Sequence, residues 1–237
     1  MGDREMLRFT SLIGSVLCAS NCAAQLTDFQ DAVSAAVPLL WYQFNESTGD
    51  VVNHGSLGVT QNAAVNGAVG RDQPTLTGDT SMQFSAGAWL ESLSDSDLTG
   101  NPDFSVEAVV WLDLGGTARQ WGPFLHWGDG GVQPSGREVY FSIQRNRNNV
   151  VYGGFYNGGM RTVTPVAQDA WLHVVWTRVG GGASDEGTTI YINGMPMATT
   201  IDRATLRCIA DRCADFEISC QSGAGWLQQP LLHRQAR

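Results

Sequence analysis

Glu107 stands in the middle of Phe104-Ser-Val-Glu-Ala-Val-Val-Trp111, an apolar run of strand type, with Val109 and Trp111 on its own face. A carboxylate aimed from a strand into a cleft can cleave glycosidic bonds, but that reaction takes a pair, one as nucleophile or base and one as acid. This run supplies a single carboxylate, so Glu107 is expected to be a hydrogen-bonded structural residue. His54, His126 and His173 are scattered without an acidic partner at telling spacing, and His233 lies near the C-terminus. His173 is expected to pack within its strand. The chain has no Gly-x-Ser-x-Gly, His-Glu-x-x-His or phosphate-cradling loop. The expectation is a protein without catalysis.

Sugar recognition has a different signature: aromatic faces that stack on pyranose rings, flanked by Asn, Asp or Arg side chains. Gln120-Trp121-Gly-Pro123 and His126-Trp127-Gly-Asp129 fit it, and Tyr156-Asn157 lies in a similar setting. Trp121, Trp127, Asp129, Tyr156 and Asn157 are therefore the candidate ligand-binding residues. Trp41, Trp111 and Trp176 fall within strand-type runs and are expected in the core.

These residues must be carried by strands. Trp171–Val179 and Thr188–Met197 are rich in Val, Ile, Trp and Tyr, which suit a pleated, half-buried surface. Between Ile192 and Met195, Asn193-Gly194 offers two residues that tolerate positive φ, as a type I′ hairpin needs. Three antiparallel strands therefore follow from Trp171. Further strands are expected at Leu39–Phe44, Ser81–Ser85, Ala88–Ser92, Phe104–Leu114, Gly122–Trp127, Glu138–Gln144 and Val150–Tyr156, with a short helix ahead of Pro38 capped by Thr27. Many short strands with frequent turns mean an all-β, antiparallel two-sheet sandwich. After Thr200 the alternation fails, so residues 203–237 read as an irregular tail.

The chain of 237 residues carries a net charge of −9, and all its basic side chains are arginine. Such an acidic chain without a basic patch argues against nucleic acid and anionic membranes as partners. Arg4 and Arg8 precede the apolar run Leu12–Ala19, and Cys22-Ala23-Ala24 follows. That is the layout of a secretory signal peptide over residues 1–24, cut after Ala24. The chain is thus expected to be secreted or held at the cell surface. Cys208, Cys213 and Cys220 would remain, enough for one disulfide and a free thiol. No later stretch is long and apolar enough to span a bilayer as a helix.

Trp171-x-His173-Val174 leading into Ile190-Tyr-Ile-Asn-Gly194 resembles the laminin-G-like jelly-roll domains of the concanavalin A-like superfamily. Pro38-Leu-Leu-Trp-Tyr-Gln-Phe44 looks like that family's opening strand, and Phe104-Ser-Val-Glu-Ala-Val-Val-Trp111 like its central one. The resemblance runs from Phe29 to Thr200 and implies a jelly roll over residues 25–202. The family would continue with a strand returning beside the first one. Nothing in residues 203–237 matches that strand, which would leave Trp41 and Phe44 at an open edge. The resemblance also implies a calcium ion, held by about six to eight oxygens. Asp50, Asn53, Asp95, Asp97, Asp129 and Asp185 lie in loops that could supply them, although each also suits a turn. By resemblance, the partner is an extracellular carbohydrate or a matrix or surface protein. The other readings are a structural fragment of a larger surface protein and, against the missing acid pair, a glycan-cleaving enzyme.

Overall fold

A computed structural model describes residues 29–75, 80–85, 87–95, 103–112, 121–128, 138–144, 147–155, 158–179, 187–203, 215–220 and 225–234. In chain order the strands are β1 (Leu40–Trp41), β2 (Ala63–Asn66), β3 (Val69–Pro74), β4 (Thr80–Phe84), β5 (Ala88–Asp95) and β6 (Phe104–Leu112). Then come β7 (Trp121–Gly128), β8 (Glu138–Gln144), β9 (Val150–Phe155), β10 (Gly158–Thr162) and β11 (Trp171–Arg178). The last are β12 (Thr188–Ile192), β13 (Met195–Pro196), β14 (Thr199–Arg203), β15 (Asp215–Cys220) and β16 (Gly225–Arg234). Sheet I has the order β13-β12-β11-β6-β16-β4-β3, with β1 also on β16, and sheet II the order β14-β10-β9-β8-β7-β15-β5-β2. All the pairings are antiparallel, and the two sheets pack as a sandwich.

Period-two alternation drives this packing. Along β11, Leu172, Val174, Trp176 and Arg178 are buried, while Trp171, His173, Val175 and Thr177 are only half-buried. Phe104, Val106, Ala108 and Val110 do the same on β6, as do Val139, Phe141 and Ile143 on β8. Trp176 is the hub of this core. Its ring meets Phe104 edge-on at 5.0 Å, and Phe141 and Phe155 surround it. Gly153 makes room for it, since a Cβ there would lie 2.7 Å from the indole. Arg178 enters the same interior, its guanidinium 5.0 Å from the Phe155 ring centre. The β12–β13 turn is as expected, with φ of 50° at Asn193 and 78° at Gly194.

Two expectations need correction. The opening strand is only Leu40–Trp41, prolonged by a bridge from Tyr42 to Asn53. Phe44 has a φ of 58°, which ends the extended run. The tail expected to be irregular instead supplies β15, between β7 and β5, and β16, between β6 and β4. Leu231 and Leu232 of β16 pair with Trp41 and Leu40, so the edge expected to be open beside β1 is covered. The register of β16 on β6 shifts between Gln228 and Leu231. That bulge, around Pro230, breaks the alternation and hides the strand from a period-two reading.

The helix expected before Pro38 is present over residues 29–35 and lies on the outer face of sheet I, where Phe29, Val33 and Trp41 form a small cluster. Below it Asn53 holds the opening turn: its Oδ1 accepts from the Trp41 and Gly55 amides, and its Nδ2 donates to the Gly58 carbonyl. Tyr42 donates its hydroxyl to the Gln61 carbonyl, and burial pushes its pKa well above the ordinary phenol value. No helix among the described residues is long and apolar enough to cross a membrane.

Candidate functional site

Several buried polar atoms without a partner among the described residues lie on the outer face of sheet II; others, such as Trp41 Nε1 and Glu46 Oε2, lie elsewhere. With Val139, Phe141 and Ile143 turned inward, β8 presents Tyr140, Ser142 and Gln144 on its other side. Ser142 and Gln144 are nevertheless fully buried, and Val150 and Tyr152 on β9 nearly so. The Ser142 hydroxyl and both ends of the Gln144 carboxamide have no hydrogen-bond partner among the described residues. A buried polar group left unpaired costs about 1–3 kcal/mol, so native structures keep few of them without a use.

Register places their neighbours. One row crosses Pro123, Ser142, Tyr152, Arg161 and Thr200 on β7, β8, β9, β10 and β14. Another joins Trp121, Gln144 and Val150. Tyr152 lies across Gly154 and Gly159, where any Cβ would collide with its phenol, and donates to the Phe155 carbonyl at 3.0 Å. The His126 and Tyr140 rings stack at 4.9 Å in the row beyond. At the β9–β10–β14 end of this face is an open depression of about 520 Å³, lined by Arg147, Val150, Arg161, Thr162, Val163 and Thr200. Its lining carries two guanidiniums and no carboxylate, on a chain that is acidic overall.

Of the expected ligand-binding residues, Trp121 sits on this face by register, beside Gln144. Trp127 does not. It pairs with Val139, faces inward, and is fully buried edge-on to Phe104 at 5.4 Å, so its ring cannot stack on a sugar. Asp129, Tyr156 and Asn157 lie outside the described residues. Trp176 is in the core as expected, whereas Trp111 is not: it shares the parity of Glu107 and lies half-buried on the outer face of sheet I. Ser142, Gln144, Arg147 and Arg161 escaped the sequence reading. The alternation Val139-Tyr-Phe-Ser-Ile-Gln144 was the available signal, since it puts a polar stripe opposite an apolar one.

Glu107 is hydrogen-bonded, to a residue the sequence did not pair it with. Its Oε1 lies 2.7 Å from His173 Nε2, one strand across on sheet I, with Phe29 edge-on to the imidazole. Asn53 spends its side chain on the opening turn, Asp50 is exposed, and no three His, Cys, Asp or Glu side chains gather among the described residues. Asp97, Asp129 and Asp185 lie outside them.

No protein-family model and no curated protein sequence matches the chain. Solved structures share its fold. Domain 4 of AbnA, a GH43 extracellular arabinanase from Geobacillus stearothermophilus solved with arabinotriose, aligns over 84% of this chain and 93% of that one, at 14% identity and a TM-score of 0.57. The Trypanosoma rangeli sialidase, solved with sialic acid, aligns over 85% of this chain but 31% of its own, at 15% identity and a TM-score of 0.55. The binding domain of botulinum neurotoxin serotype D aligns over 87% of this chain and 50% of its own, at 12% identity and a TM-score of 0.53. At such identities these likenesses show the fold alone, an antiparallel β-sandwich.

Proposed function

We propose that this concanavalin A-like sandwich is a laminin-G-like module, secreted or held at the cell surface, that binds extracellular carbohydrate without catalysis. The observation that carries the reading is the buried Gln144 carboxamide, unpartnered among the described residues and next in register to Val150 of the open depression. A carboxamide both donates and accepts, as a sugar hydroxyl does, so a bound glycan would satisfy it. The depression falls within the range of small-ligand sites, about 300–1,000 Å³. Arg147 and Arg161 line the depression, and Trp121 adds an aromatic position on the same face. Domain 4 of the arabinanase, with its bound arabinotriose, supports a sugar as the ligand of this fold. The Glu107 carboxylate is engaged by His173, which supports a structural role rather than a catalytic one. A matrix or surface protein is the alternative partner. Calcium enters the proposal through the oxygens of Asp50, Asp95, Asp97, Asp129 and Asp185.

A glycan array probed with the protein tests the reading, with Gln144→Met and Arg161→Ala as controls. Binding should fall at least tenfold in Gln144→Met and severalfold in Arg161→Ala, with both variants still melting cooperatively. Glycan binding untouched by either substitution would remove sheet II as the site. A melt repeated in millimolar calcium should shift upward if the loop aspartates hold the ion, because a ligand of the native state stabilises it by mass action. An unmoved melt would dispose of calcium.

A further inference from the structure

Sheet I carries a separate row of side chains on the face turned away from the core and from the depression. Trp171, Trp111 and the position of Trp226 pair in register across β11, β6 and β16, and the row continues through Gln83 on β4 to Gly70 on β3. Directly opposed residues of antiparallel strands project to the same side. Their chain neighbours Leu172, Val110, Met82 and Phe84 are in the core, so this side is the outer one. Five adjacent strands at about 4.8 Å make a row roughly 19 Å long.

The two ends of the row differ. At one end the Trp111 and Trp171 indoles, both half-buried, meet edge to face with centroids 5.9 Å apart and planes at 70°. They form a corner rather than a flat pavement. At the other end Gln83 leans over Gly70: a Cβ there would lie 3.2 Å from Gln83 Oε1 and 3.4 Å from Gln73 Nε2. Both amide ends thus approach a position with no side chain, where Gln73 Nε2 donates to the Arg71 carbonyl at 2.7 Å. The row itself holds no charged residue. Glu107 and His173, the ionisable pair beside its tryptophan end, satisfy each other at 2.7 Å.

The geometry points to a second carbohydrate site, for a neutral, soluble oligosaccharide chain, independent of the ligand on sheet II. The C–H face of a sugar ring packs on an indole as other apolar surface does, while its hydroxyls remain free for polar partners. The corner seats one ring against the face of one indole and the edge of the other. The Gln83 carboxamide, as donor and acceptor, meets a hydroxyl further along the chain. An uncharged row offers nothing to an acidic group, so the saccharide is neutral. A corner cannot lie flat on a crystalline surface, so the ligand is a single chain.

Affinity electrophoresis of the full chain tests this, in gels holding linear arabinan, xylan, mixed-linkage β-glucan or galactomannan, with polygalacturonate and chondroitin sulfate as the acidic arm. Retardation by at least one neutral polysaccharide is expected, weakened tenfold or more in Trp111→Ala and Trp171→Ala and partly restored in Trp111→Phe. Gln83→Ala, which trims a half-buried amide, should weaken it severalfold and guards against a tryptophan variant that fails to fold. Crystalline cellulose should not retain the protein. Retardation by acidic polysaccharides only, by none of the neutral ones, or equally in Gln83→Ala and wild type would overturn the proposal. Loss in Gln144→Met with none in Trp111→Ala and Gln83→Ala would assign the sugar to sheet II, which overturns this site and leaves the first one standing.

Discussion

On the outer face of sheet I an ionisable pair drawn inward is satisfied, although the buried Trp41 Nε1 finds no partner among the described residues. Glu107 reaches His173, Asn193 Oδ1 accepts from the His173 amide, and the short N-terminal helix lays Phe29 against the pair. On the outer face of sheet II the Tyr152 hydroxyl is satisfied by the Phe155 carbonyl, but two buried polar side chains are not. Gln144 and Ser142 are buried more deeply than Glu107, yet no described residue answers them. Both faces are built on the same core by the same alternation, so the difference is not one of fold. A satisfied polar group contributes to holding the molecule together. An unsatisfied one costs stability in the free protein, and that cost makes sense where a ligand completes the hydrogen bonds.

The largest effect should come from removing what the faces share. Trp176→Ala empties the hub between the sheets and should cost about 3–5 kcal/mol, read as a drop in the urea midpoint. Binding at both faces should decline together; a loss confined to one would mean that the sheets are less coupled than this packing implies. Gln144→Met keeps the volume and removes the orphaned amide. It should stabilise the free protein by about 1–3 kcal/mol while weakening the ligand, an opposite pair of signs that few structural residues would give. A destabilised Gln144→Met would mean that the amide has a partner in the native state, and the contrast between the faces would collapse. Glu107→Gln is the mirror experiment. The pair is partly exposed, with side chains 33% and 19% accessible for His173 and Glu107, so the loss should stay below about 1 kcal/mol. Binding at sheet II should not move.

Much of the sandwich was legible because its signals are local. Asn193-Gly194 announces its turn, and β6, β8 and β11 alternate cleanly enough to show which residues face inward. The parity of β6 even set Trp111 beside Glu107, although a tryptophan in an apolar strand was still assigned to the core. What stayed hidden depends on distance or on broken rhythm. Glu107 and His173 are 66 residues apart, and only the pairing of β6 with β11 joins them. Trp127 looked like a sugar platform because Gly128 and Asp129 follow it, but its register opposite Val139 turns it inward. β16 lost its periodicity to one bulge.

The placement of β15 and β16 has a consequence for the birth of the molecule. Both belong to the interiors of their sheets, between neighbours made much earlier in the chain. On the ribosome, β6 and β4 in one sheet, and β7 and β5 in the other, must wait for residues beyond 215 before the gap between them is filled. Until then each presents a row of unpaired backbone N–H and C=O groups, the template on which foreign strands add. Pairings so distant in sequence also close slowly. The nascent chain is therefore vulnerable until β15 and β16 have been made, still split through both sheets, when a chaperone or an unwanted neighbour would find it most readily.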